Sequence, residues 1–204
     1  MYKRATYRIR SNEPLTETVY RMVVEGDTQY LTAPGQFVNI ELPGRFLRRP
    51  ISVCDYDGHT ITLIYKVIGE GTAQMAGMAA GGELDMLTGL GNGFSTAVKT
   101  ERPLLVGGGV GIPPLYGLAK RLTAQGKRVT AVLGFNRESE IFLAEEFRAL
   151  GVEVISRPVA SVENDLVRHN PGHLARELMA LHAERNMRLV EPSTPGHTRN
   201  KVER

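Results

Sequence analysis

The stretch LLVGGGVGIPPLYGLAKRL, residues 104–122, carries the clearest chemical signal in the sequence. Gly107, Gly108, Gly109 and Gly111 follow the apolar run 104–106 and leave the backbone bare where a side chain would block a ligand. Val110 sits inside this turn and Pro113 at its exit. Pro113 and Pro114 suit the first turn of a helix whose apolar face is Leu115, Leu118, Ala119 and Leu122, ending at Gln125 and Gly126. A strand, a glycine turn and a helix start bring amide protons and a positive dipole end together, a seat for a pyrophosphate. The third glycine of the usual dinucleotide fingerprint is missing, so a purely structural turn remains open for this motif alone.

Two further constellations lie in the first half. Arg48, Arg49, Pro50, Ile51 and Ser52 open a strand; an arginine fork and a hydroxyl suit a phosphate beside a planar ring. An exposed basic turn is the alternative. The second, Ile64, Tyr65, Lys66, Val67, Ile68, Gly69, Glu70, Gly71 and Thr72, runs a strand into two glycines, with Thr72 placed to cap the next helix. The amides at that helix start suit another phosphate, and a capped hairpin end is the alternative.

The elements that must hold these residues fall into two patterns. Up to about residue 94, β-rich runs at 7–9, 20–24, 36–42, 51–55, 60–67 and 83–87 are separated by turn signals, which predicts a small closed barrel. Phe37, Val38 and Ile40 supply the apolar residues of the third run, and residues 72–80 are the one helix expected in this half. Residues 95–103 read as a polar connector. From 104 the order is strand, helix, strand (128–135), helix (141–150, with Ile141, Phe142, Phe147 and Leu150) and strand (152–155). That alternation predicts a parallel sheet with its ligand at the carboxyl ends of the strands.

Composition bounds the reading. With 42% hydrophobic and 23% charged residues and a formal charge of +3, the 204 residues are expected to form a globular protein without nucleic-acid or membrane binding. The opening MYKRATYRIR has no apolar core, so a cytoplasmic location is expected. Cys54 is the sole cysteine, which fits a reducing compartment and leaves no cysteine-built metal site within the chain.

In this order, LRRPISV (47–53), IYKVIGEGT (64–72), GLGNGF (89–94), LLVGGGVGIPPLYGLAK (104–120) and VLGFNRESEIFLAEEF (132–147) resemble the ferredoxin–NADP reductase superfamily. More closely, the chain resembles the electron-transfer subunits of bacterial type B dihydroorotate dehydrogenases. The resemblance implies an antiparallel flavin-binding barrel over 1–97 and a parallel-sheet α/β domain for NAD over 103–155. It implies that Arg49, Pro50, Ile51 and Ser52 meet FAD, with Ile51 where many members stack a tyrosine on the flavin. Ile64, Tyr65 and Lys66 would line the flavin, and Gly71 and Thr72 its pyrophosphate. Gly107 to Gly111 and Pro113 would hold the NAD pyrophosphate and nicotinamide, with Asn136 and Arg137 at the adenosine ribose. Arg137 suits a 2′-phosphate equally, so NAD and NADP both stay open. No acid–base catalytic residue is implied, because the cofactors carry the chemistry.

In the family, electrons pass through a [2Fe–2S] cluster to an FMN-bearing catalytic partner that oxidises dihydroorotate in pyrimidine synthesis, which implies a hetero-oligomer. Four C-terminal cysteines hold that cluster, and this chain has none after Cys54. From about Ser156 onward no match to the family is expected, and 156–204 reads as an atypical tail, favouring truncation or a frame-shift over a cluster-free variant. Within it, 171–190 has the apolar spacing of a helix and the last fourteen residues read as disordered. His169 and His173 are four apart, but Pro171 and Gly172 break a helix between them, so no metal site is expected. Two other functions compete: a stand-alone, hydrogenase-linked or ferredoxin-linked FAD-dependent NAD(P)H reductase, and a non-catalytic product that binds flavin or nucleotide.

Overall fold

The structure, a computed structural model, describes residues 2–158 and 188–189. Six antiparallel strands come first: β1 (Lys3–Pro14), β2 (Val19–Glu25), β3 (Phe37–Ile40), β4 (Arg49–Tyr56), β5 (Thr60–Lys66) and β6 (Glu83–Leu90). They close into a barrel in the order β1-β2-β5-β4-β3-β6, with β6 returning to β1 from Lys3 opposite Thr88 to Arg8 opposite Glu83. Alternation places every second side chain inside. Tyr7, Ile9, Met22, Val24, Val38, Ile40, Leu63, Tyr65 and Met86 thus fill one apolar core. Leu42, just past β3, joins it, whereas Phe37 is only half-buried. The hairpin from β4 to β5 is fixed by Asp57, whose carboxylate accepts the amides of His59 and Thr60 at 2.7 Å each.

One helix, α1 (Glu70–Ala76), connects β5 to β6. It starts two residues earlier than the sequence indicates and ends four earlier. Gly69 is its N-cap, and Thr72 is not. Thr72 stands one turn in, where its hydroxyl accepts the amides of Ile68 and Gly69 at 3.0 and 3.3 Å and donates to the Gly69 carbonyl at 3.0 Å.

After the connector the pattern changes to β7 (Pro103–Gly108), α2 (Pro113–Ala124), β8 (Thr130–Phe135), α3 (Ala144–Ala149) and β9 (Glu153–Pro158). β7, β8 and β9 are parallel neighbours. A short strand, β10 (Arg188–Leu189), lies parallel on the free side of β7. Residues 188–189 of the helix expected over 171–190 are strand instead; the rest of that stretch, the last fourteen residues, and His169 and His173 lie outside the described residues.

The second helix is also shorter than expected. Ile141 is extended, and Leu143 has φ 63°, a left-handed backbone that no α-helix passes through. Phe142 and Leu143 are nonetheless buried, so their apolar spacing reflects a packed turn.

The two halves share a core. Val19, Cys54 and Ile64 on the outside of the barrel pack with Leu105, Ile112, Leu115, Leu118 and Phe147. Contact between α2 and β4 needs a glycine: a Cβ on Gly117 would stand 2.9 Å from the Cys54 carbonyl oxygen. Arg21 with Glu146 (2.5 Å) and Lys120 with Asp55 (2.6 Å) pair across the same boundary. Among the described residues no helix is long and apolar enough to cross a membrane.

Candidate functional site

A cleft of about 670 Å³ opens where the barrel meets the glycine turn. Arg49, Pro50, Ile51 and Ser52 form one wall from β4, and Ile64, Tyr65 and Lys66 form another from β5. Gly71 and Thr72 close one end, and Val110 reaches in from the second half. Ten residues expected at a ligand, from three separate stretches of sequence, therefore share one cavity.

Their roles differ in detail. Arg49 is held by the bond it donates to the Leu47 carbonyl at 2.5 Å, and its guanidinium lies over Gly71. A Cβ at position 71 would meet Arg49 Nε at 2.1 Å, so the bare glycine sets where the charge sits. Arg48, its neighbour, is occupied elsewhere by Asp85 at 2.6 Å and by Glu41. Ile51 packs partly against the barrel core while lining the cleft, so it offers an aliphatic edge. The Tyr65 ring points into the barrel, where its hydroxyl donates to Asn12 at 2.9 Å. Burial pushes its phenol up to about 12. The Thr72 hydroxyl is consumed by the turn before α1, so Thr72 shapes that end of the cavity.

At the glycine turn, Gly107 and Gly108 end β7 and a 3-10 helical turn spans Gly109–Gly111. Gly107 is bare for packing: a Cβ there would stand 2.7 Å from Leu115 Cδ1. Gly109 and Gly111 face open space, Gly109 with φ 50°. Pro113 and Pro114 carry no N–H, and the amides of Ile112 and Leu115 are bonded to Gly109 and Ile112 at 3.1 and 2.9 Å. The first turn of α2 thus contributes its dipole more than its donors. Asn136 and Arg137 are exposed just past β8, at the carboxyl edge of the sheet that also bears the glycine turn. They do not line the cleft.

Sequence reasoning missed Arg45, which also lines the cavity, and gave no individual ligand role to Ile68, Gly69 and Glu70 of the second constellation, which line it too. Arg45 pairs with Glu70 and donates to Gln74 at 3.2 Å, fixing the loop before β4 onto α1. Only the adjacency of Ile68, Gly69 and Glu70 to Gly71 signalled them; nothing in the sequence ties Arg45 to α1. Among the described residues no cluster of His, Cys, Asp and Glu has the makings of a metal site. Cys54 is buried between the two halves, and burial pushes its thiol up to about 12.

No family model matches the chain. It is 42% identical over 159 residues to the dihydroorotate dehydrogenase B (NAD(+)) electron transfer subunit of Bacillus velezensis, covering 73% of this chain and 61% of that protein. It is 36% identical over 187 residues to the like-named protein of Fusobacterium nucleatum, covering 88% of this chain and 70% of that one. The first 155 of the 204 residues are about three quarters of the chain, so this second match runs past Ser156 and corrects the expectation that likeness to the family ends there. The chain spans about three fifths of the length of the relatives from Bacillus velezensis and Geobacillus kaustophilus. Among solved structures, an NADH-dependent reduced ferredoxin-NADP oxidoreductase superposes with a TM-score of 0.75 at 26% identity, over 91% of this chain and 67% of the other. A Neisseria gonorrhoeae ferredoxin NADP+ reductase with bound FAD and NADP gives 0.74 at 16% identity, over 92% and 84%, a likeness of fold alone.

Proposed function

This chain belongs to the family of dihydroorotate dehydrogenase B electron transfer subunits, and we propose that it passes electrons between NAD(H) and a dihydroorotate dehydrogenase catalytic subunit by way of FAD. The observation that carries the reading is the convergence of the 49–52, 64–72 and glycine-turn segments on one cleft. Its supports are a fixed guanidinium at Arg49, a bare Gly71 beneath it and an ammonium at Lys66. These suit the phosphates of a dinucleotide, and the apolar edges of Ile51, Ile64 and Val110 suit its ring.

FAD, when bound, supplies the exchange between a two-electron carrier and one-electron carriers. The chain's part is to hold and orient. Residues 1–97 would hold FAD through Arg49, Pro50, Ile51, Ser52, Ile64, Tyr65, Lys66, Gly71 and Thr72. Residues 103–155 would hold NAD(H) through Gly107 to Gly111, Pro113, Asn136 and Arg137. The open space at Gly109 and Gly111 is where the nucleotide backbone would approach. An FMN-bearing partner in a cytoplasmic hetero-oligomer completes the reading, with pyrimidine synthesis as its setting.

A [2Fe–2S] cluster does not fit the residues present. Such a cluster needs four thiolates or their equivalent, and this chain has one cysteine, buried as a neutral thiol. One second reading, an FAD-dependent NAD(P)H reductase, is supported by the likeness to the NADH-dependent reduced ferredoxin-NADP oxidoreductase. The test is anaerobic: the purified chain should show a flavin spectrum that NADH bleaches. A colourless protein that also fails to take up added FAD would end both readings.

A further inference from the structure

The Glu140 carboxylate stands between two groups that the proposed function gives to different ligands. Its Oε1 lies 3.9 Å from Nζ of Lys66, on the wall of the flavin cleft. Its Oε2 accepts a hydrogen bond of 3.4 Å from Nδ2 of Asn136, just beyond β8. Among the described residues, no other carboxylate lies within ion-pair distance of Lys66. The turn bearing Glu140 is fixed from within: the Glu140 amide donates to the Arg137 carbonyl at 3.1 Å and the Ile141 amide to Glu138 at 3.1 Å. Buried Phe142 and Leu143 then anchor it to the core.

We propose that Glu140 is a positioning residue that holds the Lys66 ammonium, at the edge of the flavin cleft, against the second half of the molecule until the pyrophosphate of NAD(H) at the glycine turn competes for it. The proposal rests on the nucleotide reading above and deepens it. A 3.9 Å pair whose side chains keep 32% and 27% of their exposure is long and solvated, hence readily exchanged. A pyrophosphate carries more negative charge than a carboxylate, and Lys66 shares its cleft with Val110 of the glycine turn. The backbone bonds within 137–141 hold the turn, so Glu140 stays with it when the ammonium leaves. Glu140 thereby opposes nucleotide binding through Lys66 alone, and it links occupancy of the turn to the charge facing the cleft.

The experiment is a titration of the full-length protein, as purified, with ADP-ribose, which carries the pyrophosphate and no redox-active ring. Glu140→Gln should tighten binding by about three-fold and Lys66→Gln should weaken it by a similar factor. In the Lys66→Gln background, Glu140→Gln should have no further effect. Glu138→Gln, the same change of net charge on an exposed neighbour, should leave the dissociation constant unchanged. An effect of Glu140→Gln that persists without Lys66, or none in its presence, overturns the proposal alone. Failure of the wild-type protein to bind ADP-ribose overturns the nucleotide reading, and the proposal with it.

Discussion

The guanidinium of Arg49 occupies the place where a side chain at Gly71 would begin, with Nε 2.1 Å from the position of the missing Cβ. The two residues are on different elements, β4 and α1, and the close approach sets the charge at the mouth of the cleft. Gly71→Ala should therefore displace Arg49 and mimic Arg49→Ala. Both variants should retain flavin about ten-fold less tightly, the worth of one charge-assisted contact. Gly58→Ala, in open space, should retain flavin as wild type. Flavin absorbance per protein after gel filtration measures this, and full retention by both cleft variants would remove Arg49 from the site.

At the glycine turn the expectation separates binding from reduction. Gly109 has φ 50° and nothing within 4 Å of its would-be Cβ, so a valine there strains the backbone and fills open space. Gly109→Val should keep its flavin yet be reduced by NADH at least about ten-fold more slowly, as loss of a pyrophosphate seat demands. Stopped-flow bleaching at several NADH concentrations reads the difference. Wild-type rates would place the nucleotide elsewhere.

Seating α2 on the barrel depends on Gly117, whose Cβ would meet backbone at Cys54, an atom with little room to yield. Gly117→Ala should cost about 1–3 kcal/mol in urea unfolding, the usual penalty of overpacking. A midpoint equal to wild type would mean that the helix is not pressed against β4 in solution.

Burial holds Cys54 neutral well above its ordinary value of 9.0, up to about 12. A raised folded pKa means that the thiol favours the folded state fully below about pH 9 and that this contribution is lost as pH rises towards 12. At pH 8 the native protein should be inert to thiol reagents and react only as it unfolds. Cys54→Ala should flatten the alkaline decline in stability. Prompt labelling of the native protein would contradict the burial.

With one neutral thiol in the chain, purified protein should carry flavin without stoichiometric iron. It should reduce soluble dyes from NADH while supporting dihydroorotate-linked turnover poorly. Iron equal to flavin in a metal assay would count against this.

Much of this arrangement was legible in residue order. Short β-rich runs divided by turn signals marked the barrel strands, and the alternation of strand and helix from 104 onward marked the parallel sheet. The errors were local and came from backbone conformation. Leu143 is left-handed, so the helical spacing at 141–150 covers a packed turn at 141–143 and the shorter helix α3 after it. Thr72 has the chemistry of an N-cap, yet Gly69 takes that place because an extended residue there suits the approach from β5. Arg45 was missed because its bond to Glu70 spans loop and helix, a relation that no spacing rule encodes.

Ile64, Val19 and Cys54 look outward from the barrel and are nevertheless buried against α2 and its surroundings. In engineering terms, the barrel is not a detachable cassette. Cutting the chain at the connector would leave an oily scar on β2, β4 and β5, and a sticky fragment in place of a working half. Transplants into other reductases should therefore carry α2 along with the strands that it covers.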